Sequence, residues 1–216
     1  MSSTTTELGV LLLADARLPT GGHTQSAGLE PALLAGMAEA DVPTYLVTRL
    51  RTTTLVDAAT AVVALHGTGA DGELDAVTRA WAARTPNDVV RAASIEVGRG
   101  YQRLLTRLGG DATHGRLPRP IALALLALHL EIGPADLARL VCHDDVQSVC
   151  AAALKLAPLD PAETVTWALD VAPEVESVVR RVVHLTSPDE IPAAAAPALE
   201  LWQHAHAHAP RRLFRA

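Results

Sequence analysis

Residues 90–108 read VRAASIEVGRGYQRLLTRL, and the order of large, small and charged side chains within them decides the fold class. Val90, Ser94, Val97, Tyr101, Leu104 and Leu108 recur at intervals of three and four, the spacing that stacks side chains on one face of an α-helix. The stretch therefore predicts a long helix laid along a neighbour. Alternating strand patterns are nearly absent from the rest of the chain.

Working outward, the same kind of segment repeats between recognisable stops and starts. Thr85-Pro86, Asp160-Pro161 with Glu163 three beyond the Asp, and Ser187-Pro188-Asp189-Glu190 each place proline just after a residue able to cap free amides. Gly67 to Gly72, Gly109-Gly110 and Gly133-Pro134 mark helix ends. The pattern predicts roughly nine or ten helices. With 49% hydrophobic but 3% aromatic residues, the core must come mainly from Leu, Val and Ala. No repeat or composition shift divides residues 1–216, so the expectation is one all-α domain, a single helical bundle. GGDATHGRLPRP, Gly109 to Pro120, is expected to be a mobile surface loop.

Several chemistries are disfavoured on residue grounds. Net charge is −6 and the cations are dispersed, so no basic stripe addresses nucleic acid. The sole lysine, Lys155, follows AAAL and is not in a P-loop, and Gly21, Gly22 and Gly28 miss the dinucleotide spacing. A G-x-S-x-G elbow is absent. Cys142 and Cys150 form no CxxC pair and are read as buried reduced thiols. The start carries Glu7 and Asp15 around a short apolar run, unlike a signal peptide. Ile121 to Leu130 is about half of the ~20 residues a bilayer requires. A cytoplasmic protein without cofactor is expected.

His204, His206 and His208 alternate near the C-terminus. On a helix, 204 and 208 share a face and 206 points away, so His204 and His208 are the candidates for a metal-binding alternative. Solvated histidines on the last helix are the preferred reading. His129 and His184 are read as structural.

Three further stretches resemble the urease accessory protein UreF family. They are LLLADARLPTGG at 11–22 followed by Ser26-Ala27-Gly28-Leu29-Glu30, AAALKLAPL at 151–159, and the terminal Arg212-Leu213-Phe214-Arg215-Ala216. Ser94 to Gly100, with its Gly98-Arg99-Gly100 run, is similar to a small-residue helix of that family. His23, Ser148-Val149 and His208-Ala209-Pro210 depart from the family pattern. The resemblance implies an all-α, dimeric, non-catalytic protein. Its implied partners are UreD (also called UreH), the GTPase UreG and apo-urease, which it would help to load with nickel as scaffold and GTPase regulator.

The residues themselves supply expectations about where partners dock. Leu18-Pro19-Thr20-Gly21-Gly22 should break the first helix, with a second starting near Thr24. Gly21, Gly22, His23, Gln25, Ser26 and Glu30 are the first candidate partner-binding set. Lys155, late in a helix ended by Pro158, suits the helix dipole and is the second candidate. The tail near 209–216 is expected to be flexible, with Arg211, Arg212, Leu213, Phe214 and Arg215 ordering on a partner.

Overall fold

A computed structural model describes residues 3–15, 17–67, 72–111, 115–207 and 212–214. The chain opens with α1 (Ser3–Leu13), a 3-10 turn at Gly22–Thr24, and α2 (Leu29–Leu34). A second 3-10 turn at Glu39–Asp41 leads into α3 (Val42–Arg51) and α4 (Thr53–His66), followed by α5 (Glu73–Arg84) and α6 (Asp88–Arg107). Next come α7 (Arg119–His129), α8 (Pro134–Leu156), α9 (Pro161–Asp170) and α10 (Ala172–Val182). A third 3-10 turn at Pro188–Glu190 precedes α11 (Pro197–Ala207).

The described residues form an all-α bundle without strands, as the periodicity predicts. The eleven α-helices among the described residues agree with the roughly nine or ten expected, with two details adding to the number. α2 spans only six residues, and Val171 both ends α9 and caps α10, dividing what looks like one segment.

α4 is the axis of the bundle. Eleven of its fourteen residues are buried, so it is apolar on every side rather than amphipathic. α3, α5, α7, α8 and α10 all pack on it. Alanines at 58, 59, 61 and 64 are fully buried and let these neighbours approach closely. α7 is similar, with Pro120 through Ala127 all buried, so the longest apolar run is a core helix. Among the described residues no helix is long and apolar enough to cross a membrane.

Asp160 caps α9 by accepting from the Ala162 amide, and Ser187 and Glu190 form a capping box. Other boundaries differ from expectation. α6 begins at Asp88 because Asn87, not Thr85, accepts from the Val89 and Val90 amides. Gly133-Pro134 starts α8 rather than ending α7, which closes instead at Leu130 with Glu131 left-handed at φ 56°. The helix expected near Thr24 is only the 3-10 turn, and α2 starts at Leu29. On α6, Leu105 is buried where Leu108 was expected.

Candidate functional site

Gly98 and Gly100 of α6 clamp two loops. A methyl group on Gly100 would overlap the Thr20 backbone, and one on Gly98 would overlap the Leu117 carbonyl oxygen. The Leu18–Gly22 segment and the segment before α7 thus lie directly on the helix backbone, which only glycine permits. The second of these segments is held further. The Arg119 amide donates to Ser94 Oγ at 3.0 Å, Gln102 Nε2 donates to the Gly115 carbonyl at 2.9 Å, and Leu117 is buried. Residues 117–120 are therefore packed and Gly115 is tied to α6, where a mobile stretch was expected; residues 112–114 lie outside the described set.

Beneath these loops runs a seam of buried charge. Arg49 of α3 donates twice to Asp145 of α8, and Thr54 Oγ1 donates to the same carboxylate at 2.7 Å. Arg119 of α7 bridges Asp57 of α4 and Asp144 of α8, each at 2.9 Å, while Trp81 Nε1 donates to Asp57. Burial alone would raise the Asp145 carboxyl, but Arg49, Arg119 and the Thr54 hydroxyl outweigh it and hold Asp145 below its ordinary range. Asp144 shifts upward, because desolvation and the neighbouring Asp145 exceed what Arg119 restores. Desolvation likewise pushes Tyr45 up to about 12. Arg49, Asp57, Arg119, Asp144, Asp145, Gln25 and Gln203 line a cavity of about 100 Å³.

A second cavity, about 80 Å³, lies between α1, α6 and α8 and shares Gly22, Gln25, Asp144 and Ser148 with the first. Lys155 and Phe214 line its far side. Here the C-terminal segment closes back on the bundle. Glu30 accepts from the Leu213 amide at 2.6 Å and the Phe214 amide at 2.9 Å, and His206 Nε2 lies 3.1 Å from the same carboxylate. The Lys155 ammonium stands 5.1 Å from the Phe214 ring centre.

The expected partner-binding residues thus divide. Gly21 takes φ 87°, as a sharp turn requires, and His23 is exposed above it. Gly22 and Gln25 are half-buried, and Lys155 is exposed. Ser26 and Glu30, expected at a shared surface, are both buried, because the chain packs under α11 immediately after the loop. Phe214 is 4% exposed and anchored to the chain's own Glu30, whereas the sequence led to a free tail; Arg212 and Leu213 beside it are exposed. Arg211, Arg215 and His208 lie outside the described residues. His204 is exposed and His206 is buried against Glu30. Among the described residues no three His, Cys, Asp or Glu side chains converge as metal ligands. Cys142 and Cys150 are free, buried thiols, pushed by desolvation up to about 12 and about 11.

Sequence reading missed the charge seam. Its signal was available: Arg49, Asp57 and Asp145 each interrupt an apolar helical face, where an unpaired charge would be prohibitively costly.

The described residues form an all-α bundle in which the loop residues Gly22, His23 and Gln25 and the tail residue Phe214 line one cavity. The family model for UreF matches residues 37–172, and the chain belongs to the UreF family. A urease accessory protein UreF from Mycobacterium sp. (strain JLS) is 33% identical over 97% of this chain and 99% of its own length. The protein of the same name from Mycolicibacterium vanbaalenii is 32% identical over 95% and 96%. That of Mycobacterium tuberculosis is 36% identical over 81% and 85%. These relatives are named as accessory proteins rather than enzymes.

Proposed function

We propose that this chain is a non-catalytic scaffold and GTPase regulator that works with UreD/UreH and UreG to insert nickel into apo-urease. In this reading it acts in the cytoplasm as a homodimer, and nickel is cargo handed on between partners. The observation that carries it is the alignment of nearly the whole chain with relatives named urease accessory protein UreF. The geometry supports it: His23, Gln25, Lys155 and Phe214 come from remote parts of the chain to line one cavity, with Arg212 and Leu213 exposed next to Phe214. Such a composite surface exists only in the folded bundle, as a docking site for folded partners requires. Gly22 lines the same cavity, Gly21 makes the turn that leads into it, Ser26 is buried just beyond the loop, and Glu30 holds the Leu213 and Phe214 amides.

The decisive experiment is co-expression of a urease operon with and without this chain, followed by measurement of urease activity and bound nickel. The reading expects inactive, nickel-poor urease in its absence. Lys155→Ala should weaken capture of UreG without altering the circular dichroism spectrum. Fully active urease made without the chain would sink the proposal.

A further inference from the structure

Glu30 is a carboxylate that has been taken out of water and given three hydrogen bonds in return. It is 5% exposed, and two of its three partners among the described residues are successive backbone amides 183 and 184 positions away. A buried carboxylate is costly unless its oxygens are satisfied. The site therefore demands a peptide that presents adjacent N–H groups, and the segment Leu213–Phe214 meets that demand with its main chain. Phe214 is the side chain buried in the site. Phe214 is the chain's only phenylalanine, is 4% exposed, and shares its cavity with Leu13, Leu18 and Ala151. Leu213, next to it, remains 63% exposed. The Lys155 ammonium caps the aromatic face.

We infer that Glu30, Lys155 and the cavity wall form a peptide-docking slot whose resident occupant is the chain's own Leu213–Phe214, exchangeable for a free peptide of the same chemistry. The recognition elements are two successive amides for the carboxylate and one aromatic ring for the apolar wall and the ammonium. The Leu213 side chain stays outside, so the slot reads little of it. The inference concerns the isolated chain and does not rest on its role toward urease.

Because Lys155 is the only lysine, its ε-amine is a single-site reporter. Amine-reactive labelling of the purified chain, located by peptide mapping and referenced to the N-terminal amine, should proceed faster at Lys155, which is exposed but rests its ammonium on the Phe214 ring, once residues 212–216 are deleted. N-acetylated Arg-Leu-Phe-Arg-Ala at roughly 1–10 mM, the effective concentration of a short tether, should restore the protection. The Arg-Leu-Ala-Arg-Ala peptide should not. In the full chain, Glu30→Gln should accelerate hydrogen exchange at the Leu213 and Phe214 amides. Should that variant fail to fold, deletion and peptide add-back still decide, since both keep Glu30. Unchanged labelling after deletion, equal rescue by both peptides, or unaltered tail exchange in a folded Glu30→Gln chain overturns the slot. Protection that disappears on dilution of the full chain would assign the occupant to a second copy and overturn the intrachain strap.

Discussion

Arg49 and Asp145 stand 96 positions apart and meet inside the bundle as a two-point ion pair, Nε to Oδ2 at 2.9 Å and Nη2 to Oδ1 at 2.6 Å. The pair ties α3 to α8 across a region where both side chains are almost wholly buried, 9% and 3% exposed. Their attraction offsets much of the cost of desolvating two charges; losing one member leaves the other charge stranded.

Arg49→Met is therefore expected to destabilise the fold by about 3–5 kcal/mol, the range for breaking a buried pair from one side. The double variant Arg49→Met/Asp145→Leu should recover most of that loss. Urea unfolding of the two variants and the parent checks this. A single substitution costing less than about 1 kcal/mol, the scale of a surface pair, would show that the seam is solvated.

The direction of the Asp145 shift makes a pH prediction. Its folded-state pKa lies below the ordinary value, so its contribution is complete above the unfolded carboxylate value of about 3.9 and is lost as pH falls through the folded one. The stability gap between the parent and Asp145→Asn should accordingly shrink as pH drops below about 4. Asp144, shifted upward, works in the opposite sense: protonation relieves it as pH falls through its raised value. Denaturation curves collected from neutral pH down to about 3 separate the two, with Asp144→Asn gaining relative to the parent above the raised value.

Gly100→Ala should destabilise although it lies inside a helix. Helix propensity alone would favour alanine by about 1 kcal/mol. The added methyl group, however, would run into the Thr20 backbone, which cannot rotate aside, and overpacking of this kind costs about 1–3 kcal/mol. Gly98→Ala faces the Leu117 carbonyl in the same way. Gly115→Ala, with open space around its new Cβ, should change stability by less than about 0.5 kcal/mol. Thermal melts of the three variants give the comparison; a stabilised Gly100→Ala would contradict the close approach.

Cys142 and Cys150 should be silent to thiol reagents in the native state. Both are buried, and desolvation moves them to about 12 and about 11, leaving little thiolate at neutral pH. Colour development with an aromatic disulfide reagent should follow unfolding in urea. Rapid reaction of either cysteine in buffer would refute their burial.

Much of the architecture was legible in the residues, though unevenly. The helical face of α6 was readable at Val97 and Tyr101 because periodicity is a local property. The Asp160 cap and the Ser187–Glu190 box were readable because their partners lie within four residues. The start of α6 was misplaced because Thr85-Pro86 and Asn87 compete two residues apart, and only the bonds to Val89 and Val90 choose between them. Glu30 looks like a surface acid from its neighbours. Its burial depends on His206 and Phe214, far away in the chain.

The helical class, the turn at Gly21, the burial of the cysteines and the family resemblance all follow from neighbours along the chain. That Arg49 pairs with Asp145, that Arg119 joins Asp57 to Asp144, and that Leu213 and Phe214 return to Glu30 is visible in the folded bundle alone. Those pairings depend on which helices lie side by side. Side-chain periodicity specifies that a face is buried; it carries no record of the partner that buries it.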